Sequence, residues 1–150
     1  MTRPVRIRGI EDARLVLGVA RDCGRAVVLV SPAGAAGYLG GGWWAALTAL
    51  LRDEFPGTEV TAVLDCADDP GHVLAALRAG CTELSFAGPP EVAAKLADIA
   101  AQHGARLHPP ATDTVEPWRE SRPRAALRAL LAAFAEPTPP GTSPPGTAGR

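Results

Sequence analysis

Short apolar runs recur along this chain, and each is followed by a stretch whose apolar residues have helical spacing. That alternation limits the fold more than any other feature. Strands that alternate with helices pair in parallel through right-handed crossovers. Val5-Arg6-Ile7 alternates as a short strand does, and residues 11–23 place Leu15, Val16, Val19 and Ala20 on one helical face before Gly24. Ala26 to Val30 is an unbroken apolar run, the mark of a strand covered on both faces. A glycine-rich loop comes next, then a helix marked by Trp43, Leu47, Leu50, Leu51 and Phe55 and stopped by Pro56. Val60 to Leu64 is a third strand. Asp69-Pro70 opens the next helix as N-cap and first-turn proline, and Gly80 closes it. Leu84 to Phe86 is a fourth strand, residues 90–103 a helix with Val92, Leu96 and Ile99 inward, and Ala105 to Leu107 a very short fifth strand. A last helix over 122–135 carries Leu127, Leu130, Leu131 and Phe134 on one face and needs a partner surface, since a lone amphipathic helix is marginal in water.

The expected fold class is therefore α/β: a parallel sheet of four to five βα units, either half of a TIM barrel or flavodoxin-like, with a C-terminal amphipathic helix. Residues 1–135 form the domain. Residues 136–150, almost wholly Pro, Gly, Thr and Ser, have nothing to bury and read as a flexible tail. Its Pro137-x-x-Pro140 pattern arises easily in such composition.

Composition removes several functions. The chain has 150 residues, 47% hydrophobic, with a formal net charge of −1, so it lacks the basic face of a nucleic-acid binder. No stretch approaches the ~20 apolar residues of a membrane span. The charged opening MTRPVRIRGIEDAR has no signal-peptide core. Cys23, Cys66 and Cys81 form no CxxC pair and suit a reducing compartment, so a cytoplasmic chain is expected.

In parallel sheets ligands sit at the C-terminal strand ends, here Ser31, Asp65, Ala87-Gly88 and His108. Between Ser31 and Gly42 lies a loop containing Gly34, Gly37 and the triplet Gly40-Gly41-Gly42. Gly40 to Ala45 matches a loose G-x-G-x-x-A, but nine residues separate Val30 from Gly40, whereas the dinucleotide motif turns directly after its strand. A phosphate cradle of backbone N–H groups and a plain glycine loop remain the two readings. Asp65 is placed for acid–base work, with capping of the following turn as the bland alternative. Cys66 beside it is either a thiol ligand or nucleophile, or a small buried hydrophobe. The histidines are scattered without metal spacing, and no G-x-S-x-G elbow supports a triad of Ser31, His108 and Asp65.

Several segments carry a family likeness. AVVLVSPAGAAGYLGGGWWAAL and TEVTAVLDCADDPGHVLAALRAG resemble the second and third βα units of class II fructose-bisphosphate aldolases, the metal-dependent TIM-barrel aldolases. CTELSFAGPP resembles that family's fourth strand, LADIAAQHGARL its next helix and fifth strand, and VRIRGIEDARLVLGVA its first unit. The likeness runs from residue 4 to 108. It implies that Ser31 contacts substrate and that Asp65 shuttles a proton during aldol cleavage, with Gly34 and Gly37 in the stretch that matches the family's Ala-Gly loop. Cys66 stands where the family has its first zinc-ligating histidine, Ala87 where it has an aspartate, and Pro110 near its glutamate. The family's other zinc histidines and phosphate loops belong to the second half of a barrel of ~250 residues.

Three functions are expected. One is an aldolase-related half-barrel without zinc chemistry, binding a small, phosphorylated metabolite or a partner at Ser31, Gly34, Gly37 and Cys66. Another is a carbon–carbon lyase in which Asp65 works and a second subunit supplies metal ligands. The last is a purely structural interaction protein. No cofactor is expected under the first reading, and zinc only under the second. The exposed inner face of a half-barrel can be met by flattening of the sheet, by helix 122–135 folding over that face, or by a homodimer. The helix is favoured as the cover, in combination with either of the others.

Overall fold

The computed structural model describes residues 3–133; the tail 136–150 and Phe134 lie outside the described residues. Five strands, β1 (Val5–Arg6), β2 (Val27–Val30), β3 (Val60–Asp65), β4 (Glu83–Ser85) and β5 (Arg106–His108), form one parallel sheet in the order β1-β2-β3-β4-β5. Sequential order is that of consecutive units of a βα barrel; a flavodoxin-like sheet reverses direction after its first crossover. When every crossover is right-handed and runs the same way, all helices lie on one face.

Those helices are α1 (Ile10–Cys23), α3 (Gly40–Glu54), α4 (Pro70–Arg78), α5 (Pro90–Gln102) and α6 (Pro123–Ala132), with a single-turn α2 (Ala35–Tyr38) and a 3-10 turn (Pro117–Arg119) between them. In space α6, α1, α3, α4 and α5 are neighbours in that order. The strand register sorts side chains between two faces. Val5, Leu29 and Ala62 form one row and Leu64, Leu84 and Leu107 another, and both meet the helices in the hydrophobic core. Arg6, Val30 and Val63, and beyond them Asp65, Ser85 and His108, lie on the opposite face. Val30 and Val63 are buried there, outside that core.

Beyond β5 the chain departs from the expected arrangement. Helix 122–135, shortened to α6, does not fold over the open face. It lies against α1 at the end of the helix layer, burying Leu127 and Leu131, and Arg8 sits over the Trp118 ring at 4.7 Å beside it. The open face is crossed instead by residues 109–114, a strap that brings Val115 to the free edge of β1. Arg6 donates its N–H to the Val115 carbonyl and Val115 donates to the Pro4 carbonyl, both at 2.9 Å. The geometry permits this: from β5 to Val115 outside β1 is five strand spacings, about 24 Å measured along the sheet, and seven near-extended Cα steps from His108 cover about 24 Å. An apolar helix stripe and an extended strap compete for different partners. α1 offers α6 an apolar groove, whereas the polar open face does not.

Gly41 and Gly42 are also helical. α3 begins three residues before Trp43 at Gly40, where a φ of +86° favours glycine. A Cβ on Gly41 would stand 2.8 Å from the Ala76 Cα, so this glycine lets α3 and α4 approach closely. Asp69 caps α4 as expected, accepting from the Gly71 N–H at 2.8 Å.

Candidate functional site

At the C-terminal end of the sheet, Ser31 just beyond β2 and Asp65 at the end of β3 are locked together. The Ser31 hydroxyl, fully buried, accepts from the Asp65 N–H at 2.9 Å and donates to the Pro32 carbonyl at 3.0 Å. Arg6 reaches across from β1, donates to the Ser31 carbonyl at 2.6 Å and brings its guanidinium 3.7 Å from the Asp65 carboxylate. Asp65 in turn accepts from the Ala67 N–H at 2.8 Å, an Asx-type turn that holds Ala67 at φ +50°. Ser31 thus serves as a cross-tie between strands, with its hydroxyl spent inside the protein. Asp65 lies on the open face, at the strand end, with its carboxylate partly exposed.

Cys66 faces the other way. It is buried in the core against the helices, and its thiol is directed at the Leu64 carbonyl at 3.8 Å. Burial above all, then the Asp65 charge, pushes this thiol up to about 12. A thiol held protonated is neither a nucleophile nor a metal ligand. The binding role expected of Cys66 is not supported by this placement. The bland alternative, a small buried hydrophobe, describes it.

The loop glycines are also accounted for locally. Gly34 has φ +64° and leads into α2. The N–H groups of Ala35, Gly37 and Leu39 are given to the carbonyls of Pro32, Gly34 and Ala35. The His72 ring lies against Gly37, where a Cβ would be 2.7 Å from its Cε1. These amides do not form an open anion cradle.

A second polar group on the same face lies outside the sequence-based expectations. Glu83 of β4 takes Arg106 at 2.6 Å and the His108 Nε2 at 2.5 Å. Burial alone would raise the Glu83 carboxyl, but those two hydrogen bonds outweigh it and hold the group below the usual carboxylate range. Ser85, beside His108 in the register, is 2% exposed. Val30, Val63, Ser85 and His108 form the floor of an open cavity of about 390 Å³ walled on one side by the strap from Pro109 to Asp113. Arg3 stands at its margin, ion-paired to Asp113 at 2.8 Å. The signal for these residues is present in the sequence: Arg6 between Val5 and Ile7, and Ser85 between Leu84 and Phe86, are polar positions inside alternating runs. Alternation of this kind marks a strand with one polar face.

Zinc finds no ligand set in the residues expected to hold it. Cys66 is in the core, Ala87 and Pro110 have no donor side chain, and among the described residues no three His, Cys, Asp or Glu side chains converge. No helix among the described residues is long and apolar enough to cross a membrane.

The fold and this face define an α/β module with the strand connectivity of a βα barrel and one sheet face crossed by a strap. No protein-family model and no curated protein matches the chain.

Proposed function

We propose that this chain is a small-molecule-binding module that holds its ligand on the open face of the sheet, beneath the strap 109–114. One observation carries the reading: a cavity of about 390 Å³ whose floor is Val30, Val63, Ser85 and His108 lies at the strand end where parallel sheets bind ligands. The cavity combines an apolar floor with a few convergent polar groups, the usual make-up of a ligand site. The likeness to class II aldolases supplies sugar and triose phosphates as the first compounds to test. The reading stops short of zinc-dependent aldol cleavage, because the polarising metal that such chemistry needs has no ligand set here.

The test is an amide-shift titration of the labelled protein with a panel of small metabolites that includes sugar phosphates. Saturating shifts centred on Val30, Val63, Ser85, His108 and the strap support the reading. Shifts from no compound, or shifts clustered only elsewhere, remove it.

A further inference from the structure

We infer that the proline-rich segment 137–149 of this chain docks on the outer face of α3, with its proline rings against Tyr38, Leu39, Trp43 and Leu50. That surface belongs to the helix layer and is separate from the cavity, so the inference goes beyond the ligand reading and does not depend on it.

Exposure argues first. Among the described residues three large apolar side chains are exposed: Tyr38 (65%), Leu39 (40%) and Leu50 (43%). All three lie within α2, α3 or the residue that joins them. Half-buried Trp43 and exposed Ala46 share a helical face with Leu50, at i, i+3 and i+7. The Trp43 ring rests beside that of Trp44, with centroids 5.7 Å apart. Single exposed apolar residues need no explanation, but several gathered on one element mark an interaction surface. Aromatic-lined surfaces are what proline-rich segments recognise, because the polyproline II form presents its rings at little cost in entropy.

Charge argues next. The chain is 21% charged, yet residues 31–51 hold no charged side chain and neither do residues 137–149. Laying one uncharged segment on the other takes no ionised group out of water, where burial would be costly.

Position selects the occupant. Val115 pairs with Val5 in parallel, Trp118 then lies beneath the Arg8 guanidinium, and α6 packs along α1. The chain therefore rises beside β1 and returns in α6 as a βα unit does, so α6 runs the same way as α1 and α3 and ends toward the Leu50 end of α3. α3 is the second neighbour of α6, two helix spacings or at most about 20 Å away. The seven steps from Ala132 to Pro139 span about 22 Å as polyproline II, which brings Pro139-Pro140 to Leu50. Pro144-Pro145 follows five residues later, about 16 Å further on. Leu39 precedes Leu50 by eleven residues, about 16 Å along a helix. Reach, order and spacing thus set the two proline pairs on the two ends of the surface. A tethered segment also acts at an effective concentration in the millimolar range, so a weak contact is enough. A second copy would first have to offset its lost translational freedom.

The test uses the full-length chain with Cys23→Ser and a nitroxide on Ser143→Cys; Cys66 and Cys81 are buried and stay unmodified. The nitroxide should broaden the amides of residues 38–50 and the Trp43 indole N–H, and spare those of α5. Serine in place of Pro139, Pro140, Pro144 and Pro145 should abolish the broadening while the rest of the spectrum stays unchanged. No broadening at 38–50, or broadening spread evenly over the surface, overturns the docking. Broadening that survives the four serines overturns the proline contact. Equal broadening when the nitroxide and the isotope label sit on different copies overturns docking within one chain and assigns the contact to a second copy.

Discussion

Gly41 and Gly42 are adjacent in α3 but meet different surroundings, and substituting each by alanine tests why the glycine triplet is there. A Cβ on Gly41 would lie 2.8 Å from the Ala76 Cα and 3.1 Å from the Ala79 Cβ, whereas one on Gly42 meets nothing within 4 Å. Alanine is favoured over glycine in a helix by about 0.8–1 kcal/mol. Gly42→Ala should therefore gain up to about 1 kcal/mol, less if the first turn is already loose. Gly41→Ala receives the same propensity gain, but its new methyl presses on α4 backbone that cannot rotate aside. Overpacking of this kind costs about 1–3 kcal/mol. The propensity terms cancel between the two variants, so their difference isolates the packing cost. For a chain of this length that gap corresponds to roughly 3–10 °C in Tm. Thermal and urea melts followed by circular dichroism read it directly. Equal stabilisation of both variants would refute close packing of α3 on α4. Equal destabilisation would mean that the triplet is needed as flexible loop backbone, as in a phosphate cradle.

Leu127 is fully buried where α6 meets α1, so Leu127→Ala should cost about 2–4 kcal/mol in urea unfolding; a loss under about 1 kcal/mol would mean that α6 is not part of the core. Cys23 is exposed while Cys66 and Cys81 are buried and raised by burial, so Ellman's reagent at pH 8 should modify Cys23 quickly and the other two only on unfolding. A fast reaction at Cys66, located by peptide mapping, would contradict its core placement. Glu83 titrates below its ordinary value in the folded state, so its contribution to stability is fully present above the ordinary carboxylate range and is lost as pH falls through the lowered folded value. The urea midpoint of Glu83→Gln should lie below that of the wild type at pH 7, and the two should converge toward pH 3; a gap independent of pH would show that the ion pairs with Arg106 and His108 contribute nothing.

Most elements of the fold are legible in the sequence because each is local. The run Ala26 to Val30 reads as a covered strand, realised over Val27–Val30, and Asp69-Pro70 reads as a helix start, both from adjacent residues alone. The open face is legible in principle, since Arg6 and Ser85 interrupt apolar runs at alternate positions, but a single polar residue in a two- or three-residue strand is a weak signal. Ser31 and Asp65 stand out by their place at strand ends, although only Asp65 keeps its polar atoms toward the open face. Cys66 misleads because the step from strand to turn reverses the facing of successive side chains, so neighbours in sequence point to opposite sides of the sheet. The strap is not legible at all. It depends on one paired residue, Val115, meeting Val5 across the whole sheet, and no local pattern encodes a contact of that separation.

The strap also decides how the open face is used. A sheet with helices on one side only would expose an apolar face, but here most of that face is polar and satisfied within itself: Arg6 with Asp65, and Glu83 with Arg106 and His108. Covering it with an apolar helix or a dry interface would strand those charges, which explains why α6 goes to α1. The buried apolar residues there are Val30 and Val63, at its centre. Burying two valines is worth at most about 3–6 kcal/mol, and the two backbone hydrogen bonds of Val115 add about 1–3 kcal/mol. Against this stands the ordering of four non-proline residues, Ala111 to Thr114, at about 1–2 kcal/mol each; Pro109 and Pro110 come with φ already set. The two sides nearly balance, so the strap is held against the sheet with little to spare. Amide exchange checks this: Ala111, Thr112 and Asp113 should exchange orders of magnitude sooner than Leu29 or Val63, and a saturating ligand should slow the strap without slowing β2 or β3. Strap amides as protected as those of β3 in the free protein would refute the balance.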